Sequence, residues 1–158
     1  MKEIQSNINI IGGGLIGAVT AYSLSKLDNK VVVLEQNPKF NHKNILDKRT
    51  TAISEGTKKF LEEINIWNEI GNYAEPIKNI QIIDRNQSNK IYFDNQRRKS
   101  NLGYIVKNEF ILDSLYKKLQ KQKNVKIFNN VSSKDIFCQG DRIITKQNNF
   151  YINANILF

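Results

Sequence analysis

The sequence predicts an α/β domain of the Rossmann-like, dinucleotide-binding kind, and three observations carry that prediction. An apolar run, Ile8-Asn9-Ile10-Ile11, leads straight into Gly12-Gly13-Gly14-Leu15-Ile16-Gly17. A helix-forming stretch follows, then a second apolar run, Val31-Val32-Val33-Leu34. Glu35 closes that run, about 20 residues beyond the glycines, where an acid belongs in a dinucleotide-binding βαβ unit. Gly12 permits the sharp turn off the strand, Gly14 lets the backbone approach a pyrophosphate, and Gly17 lets helix and strand pack closely. The helix start offers unpaired N–H groups and the positive end of its dipole to phosphate. Glu35 stands where a carboxylate accepts hydrogen bonds from both ribose hydroxyls of an adenosine. A signal-peptide reading of the same stretch is weaker, because four glycines interrupt its helix and Glu35 becomes coincidence.

The composition is that of one ordinary globular domain. The chain has 158 residues, of which 40% are hydrophobic and 25% charged. No apolar stretch approaches the ~20 residues of a membrane helix. The single Cys138 has no disulfide partner, which fits a reducing cytoplasm, and its strand-like flanks predict a buried structural thiol. His42, the only histidine, has no second ligand at metal spacing and reads as solvated, so no metal site is expected. The net charge of +9 points toward nucleic acid or an anionic membrane. The lysines are nevertheless spread over solvent-facing positions without any nucleic-acid module signature, and nucleic acid is not expected. Two clusters stand out, Arg97-Arg98-Lys99 and the stretch 117–126. The second alternates with Leu115, Leu119 and Val125, as on the wet face of an amphipathic helix.

Beyond the βαβ unit, a polar loop runs from 36 to 48 and is broken by Pro38. After Asp47-x-Arg49-Thr50-Thr51-Ala52-Ile53-Ser54, a helix is expected over about 54–64. Ser54 caps it, and Phe60, Leu61 and Ile64 share one face. Trp67 and Ile70 extend that face through a short turn that stops at Gly71. Residues 77–84 and 90–94 read as the two strands of a hairpin about a turn at 86–89. A strand at 103–106 leads into a helix over about 108–122, striped by Phe110, Ile111, Leu115 and Leu119. Short strands follow at 125–128, 135–138, 142–146 and 150–152. The segment 154–158 reads as a buried parallel strand.

Five blocks, in order, carry a family resemblance. They are Gly12-x-Gly14-x-x-Gly17 with Glu35 after seventeen intervening residues, Asp47-x-Arg49-x-x-Ala52-Ile53-Ser54, and the stretch 61–70 with Trp67. Ala74-x-Pro76-Ile77 and Leu102-Gly103-Tyr104-Ile105-Val106-x-Asn108 complete the set. The chain resembles the N-terminal part of the FAD-dependent aromatic hydroxylases of the para-hydroxybenzoate hydroxylase type, and among them the ubiquinone-biosynthesis hydroxylases. The glycine fingerprint is generic to FAD and NAD folds, whereas the Asp-x-Arg and Leu-Gly-Tyr blocks are more specific.

The resemblance implies a Rossmann-like FAD-binding domain over 1–73 and 101–158, incomplete at its C-terminal end. The start of an inserted substrate-domain β-sheet would occupy 74–100. It implies FAD as cofactor, NAD(P)H as co-substrate and a polyprenylated aromatic substrate. It also implies peripheral contact at the inner face of a membrane, and a partner chain if the missing half is encoded separately. The implied cofactor contacts are Gly12, Gly13, Gly14, Leu15, Ile16, Gly17, Glu35, Gln36, Arg49, Lys107 and Val131. No catalytic side chain is assigned, because the chemistry in that family belongs to the flavin. Strands between 81 and 93 would lack sheet neighbours, so the isolated chain is expected to be marginally stable. Two other readings stay open: a different FAD-dependent oxidoreductase sharing only the glycine fingerprint, and a non-catalytic truncated or split flavin-binding fragment.

Overall fold

The computed structural model describes residues 1–37, 48–83, 90–94, 101–131 and 135–158. The chain begins with β1 (Lys2–Gln5), β2 (Ile8–Ile11), α1 (Leu15–Ser25), β3 (Val31–Glu35) and β4 (Thr50–Ile53). Next come α2 (Glu55–Glu63), α3 (Trp67–Ile70), a 3-10 turn (Gly71–Tyr73), β5 (Glu75–Ile77), β6 (Asn79–Ile83) and β7 (Lys90–Asp94). Then follow β8 (Gly103–Lys107), α4 (Asn108–Leu119), β9 (Val125–Asn129) and β10 (Asp135–Gln139). The last strands are β11 (Arg142–Lys146), β12 (Phe150–Ala154) and β13 (Ile156–Leu157). Two compact units result, residues 1–46 with 112–158, and residues 47–111.

The first unit is built on a parallel sheet of order β13-β2-β3-β9. Val31, Val32, Val33 and Leu34 are all buried. Such an unbroken apolar run is what a strand covered on both faces requires. Helix α1 buries Ala18, Ala21, Tyr22 and Ser25. Further on, Leu112, Leu115, Tyr116 and Leu119 of α4 are buried at helical spacing. A second sheet has order β1-β12-β11-β10, with β1 lying parallel to β12. Ile4, Val32, Leu34, Ile152 and Ala154 form a cluster that joins the two sheets, with Phe128, Val131 and Phe150 packed against it. Asn9 is the polar exception inside β2, and its Nδ2 donates to Thr145 Oγ1 at 2.8 Å.

The second unit centres on an antiparallel sheet of order β4-β8-β5. Three of the family-bearing blocks therefore meet in one sheet, with the Leu-Gly-Tyr strand in the middle. Gly103 is needed there because a Cβ would lie 2.7 Å from the Ile53 carbonyl oxygen. Ser54 caps α2 as expected, its Oγ accepting from Thr57 N at 3.1 Å. Trp67 meets Tyr104 edge-on at 5.0 Å, and Lys58 Nζ lies over both rings.

Strands β6 and β7 form a separate two-stranded ribbon. Its register sets Ile80 opposite Phe93 and Ile82 opposite Ile91, so these four side chains share one face. The other face holds Asn79, Gln81, Ile83, Lys90, Tyr92 and Asp94, with Gln81 Nε2 donating to Tyr92 Oη at 2.8 Å. All ten residues are exposed. The ribbon is amphipathic, and its apolar face lies open.

Several expectations are corrected. β1 and β4 were not foreseen, because each is short and only Ile4 and Ile53 in them are buried. The single strand expected over 77–84 is two strands in different sheets: Ile77 pairs with Gly103, whereas Asn79 pairs with Asp94. Gly71 continues the chain into a 3-10 turn, and its smallness makes room for the Trp67 indole, whose Nε1 a Cβ would approach to 3.1 Å. Phe110 stacks on Tyr73 at 4.2 Å and lies outside the buried stripe of α4. Cys138 is exposed, since β10 is the edge strand of its sheet and every residue in it is exposed. The final strand does run parallel to β2, but it has two residues and Ile156 is exposed. His42, Asp47, the turn at 86–89 and Arg97 to Lys99 lie outside the described residues.

The open face of the ribbon makes a prediction. Replacing Ile82 and Ile91 with Thr keeps β-propensity and removes exposed apolar surface. The concentration at which the chain aggregates should rise, with stability changing by less than about 0.5 kcal/mol per site in urea melts. A loss of several kcal/mol would show that these side chains are buried.

Candidate functional site

The glycine turn is shaped by two close approaches. Gly12 has φ of 99°, a left-handed conformation that side chains rarely adopt, and its N–H donates to Leu34 O at 2.7 Å. A Cβ at Gly17 would fall onto the Gly12 carbonyl oxygen and crowd Ile10. Helix α1 can start this close to β2 only because position 17 has no side chain.

The start of α1 is bare. Gly14 is its N-cap, no side chain caps it, and its first turn holds no acidic residue. A Cβ at Gly14 would meet nothing within 4 Å. The contrast with Ser54 on α2 is direct: one helix caps one of its first N–H groups with its own side chain, and the other has no such cap and leaves them to an external anion. Leu15 and Ile16 begin the helix, and Ile16 is 82% exposed.

Glu35 sits across the turn at the end of β3, half-buried. Its Oε2 accepts from Gly13 N at 2.5 Å and its Oε1 from Asn37 N at 2.7 Å. Each carboxylate oxygen carries two lone pairs, so acceptor capacity remains for a ligand hydroxyl. Gln36 follows and is exposed. Val131 N donates to Glu35 O at 3.1 Å, and its side chain packs against the cluster that joins the sheets. Glycine turn, helix start, Glu35 and Val131 therefore assemble within the first unit.

Arg49 and Lys107 lie in the second unit, Arg49 just before β4 and Lys107 at the end of β8. Thr50 pairs with Lys107, and Arg49 O accepts from Asn108 N at 2.9 Å. Both side chains are exposed. Lys107 Nζ lies 3.6 Å from Glu109 Oε1 and over the Phe110 ring. Buried Asn108 accepts from Thr51 Oγ1 through its Oδ1 at 2.6 Å, locking β4 to the start of α4.

One residue of the first unit escaped the sequence reading. Tyr116 is buried on α4, and its Oη donates to Gly13 O at 2.9 Å. The spacing 112-115-116-119 was the available signal. It places a tyrosine in a buried stripe, and a buried phenol needs a partner. Burial first, and the Glu35 carboxylate second, push this phenol above its ordinary value of 10.0.

A parallel sheet, a glycine turn, an uncapped helix start and an acidic strand end define a dinucleotide-binding α/β protein. The model of the pyridine nucleotide-disulphide oxidoreductases matches residues 1–154, and the chain belongs to that family. The mitochondrial ubiquinone biosynthesis monooxygenase COQ6 of Drosophila melanogaster is 31% identical over 131 residues, covering 78% of this chain and 28% of the relative. The p-nitrophenol 4-monooxygenase PnpA of Pseudomonas putida DLL-E4 superposes with a TM-score of 0.76 at 20% identity, over 99% of this chain and 40% of PnpA. The flavin-dependent monooxygenase PieE, solved with FAD and substrate, gives 0.78 at 12% identity, over 99% and 30% of the two chains. The expected resemblance and fold class are borne out. The chain spans less than a third of the COQ6 relative's length. Among the described residues, no helix is long and apolar enough to cross a membrane.

The neutral Tyr116 makes a pH prediction. The folded state holds the phenolic proton above pH 10 while the unfolded state releases it. The stabilisation is therefore complete below pH 10 and is lost as pH rises past it. Between pH 10 and 11 the parent should lose up to about 1.4 kcal/mol more than Tyr116→Phe in urea melts. Parallel pH curves would place the phenol in an ordinary, solvated environment.

Proposed function

We propose that this chain is the FAD-binding portion of a flavin-dependent monooxygenase that hydroxylates a polyprenylated aromatic ring in ubiquinone biosynthesis, with NAD(P)H as hydride donor and O₂ as oxidant. One observation carries the reading: a bare helix start and an acidic strand end meet on a single glycine turn. That donor and acceptor set suits the pyrophosphate and ribose of an adenine dinucleotide. The likeness to COQ6, a ubiquinone biosynthesis monooxygenase, supports monooxygenase chemistry over other dinucleotide chemistry.

The residues present fit the group. Gly14 leaves open space in front of the helix, and Gly17 allows the helix to begin there. FAD, when bound, supplies the redox and oxygen chemistry. The amides of Gly14, Leu15, Ile16 and Gly17, with the dipole of α1, hold the pyrophosphate charge. Glu35 takes the ribose hydroxyls on its free lone pairs, with Gln36 and Val131 beside it. In the second unit, Arg49 and the neighbouring Lys107 are two exposed cations that suit a phosphate. The ribbon of β6 and β7 begins the substrate-domain sheet. The open apolar face of β6 and β7 is then covered by the rest of the enzyme, on the same polypeptide or on a partner chain. A net charge of +9 suits peripheral contact with an anionic membrane, where a polyprenylated ring would reside.

Titration with FAD, followed by flavin fluorescence, tests the reading. Saturable binding that AMP displaces is expected. Glu35→Ala should weaken it about tenfold or more, the worth of one charge-assisted hydrogen bond, while the melting midpoint moves little. Folded parent protein that ignores FAD would remove the cofactor from this site, and equal affinity in the variant would remove Glu35.

A further inference from the structure

Both polar backbone groups of Gly13 are tied. The carbonyl accepts from Tyr116 Oη of α4, and the N–H donates to Glu35 Oε2 of β3. The two residues come from elements 81 positions apart in sequence (116 against 35), and they meet on the two sides of one residue. Gly13 differs from Gly12 in that its φ is not positive, so conformation alone does not demand glycine. The demand comes from its neighbours. A Cβ at position 13 would fall onto the Tyr116 phenolic oxygen and lie 3.2 Å from Glu35 Oε2. The middle glycine of the turn is therefore the counterpart of a tyrosine 103 residues away.

We propose that Tyr116 is a positioning residue for dinucleotide binding, anchoring the Gly13 backbone from its carbonyl side so that the Gly13 N–H holds the Glu35 carboxylate in place for the adenosine ribose. The proposal rests on the flavin-binding reading of this site and adds the device that presets it. Tyr116 acts through Gly13 and Glu35 and does not itself touch the cofactor. Buried and neutral, its hydroxyl remains a donor throughout the working pH range. A buried tyrosine that merely fills space would support α4 and leave the carboxylate indifferent to its hydroxyl.

A double-mutant cycle separates these roles. FAD affinity is measured by fluorescence titration of the 158-residue chain as parent, Tyr116→Phe, Glu35→Ala and the double variant, each checked for folding by circular dichroism. Phenylalanine keeps the ring and removes only the hydroxyl. Affinity should fall about tenfold in the parent background and less than about twofold once Glu35 is gone. Parent-like affinity in Tyr116→Phe, or an equal loss in both backgrounds, overturns the positioning role while the flavin reading stands. Failure of the folded parent to bind FAD overturns both. Rescue supplies a second arm, read in the background of a Gly13 substitution. Gly13→Ala sets a methyl against the phenolic oxygen, and adding Tyr116→Phe should recover at least about fivefold of the lost affinity. No recovery overturns the proposal.

Discussion

Everything at the candidate site depends on how closely α1 begins against β2. The Gly12 carbonyl lies where a Cβ of Gly17 would stand, and Gly12 itself is in a left-handed conformation. A side chain at position 17 would push the helix away from the strand and disturb the turn that carries the Gly13–Glu35 hydrogen bond. The two glycines therefore fix a distance, and that distance sets helix dipole and carboxylate on either side of one turn. Gly14 contributes by leaving space. The three glycines of the fingerprint do three different physical jobs, and Gly13 between them does a fourth by admitting a tyrosine.

The second unit shows the same economy. Its three-stranded sheet gathers the stretches beginning at Thr50, Glu75 and Gly103, which are far apart in the chain. Gly103 lets β8 press against the Ile53 carbonyl, so the middle strand can sit between β4 and β5. Asn108, buried at the start of α4, ties Thr51 and the Arg49 backbone to that strand. The residues that distinguish this chain from a generic dinucleotide fold are, in this unit, largely those that build a sheet. Their polar side chains at Arg49 and Lys107 stand exposed on it.

The βαβ unit was legible because its signals are local and strong. An all-apolar strand, glycines at fixed spacing and a terminal acid leave few alternatives. Ser54 was legible as a cap for the same reason. What the sequence hid was set by partners distant along the chain. β1 has one buried residue in four and becomes a strand only because β12 lies beside it. Cys138 sits in an apolar-looking stretch that happens to form a sheet edge, so periodicity could not tell inside from outside. The break at Lys78 was hidden because Ile77 and Asn79 belong to different sheets within one extended run. Tyr116 was overlooked because its partner is a backbone carbonyl that only the folded turn presents.

On the proposed reading, the bare start of α1 and Glu35 form one preset adenine-dinucleotide site. The most direct measurement is a two-dimensional ¹H–¹⁵N spectrum of the labelled chain, titrated with FAD and, separately, with AMP. The amides of Gly13 to Gly17, together with Gln36 and Asn37, should shift and saturate with FAD. AMP should move the same group, with changes strongest near Glu35. Shifts confined to other parts of the chain, or a folded protein whose glycine-turn amides do not respond, would contradict the account.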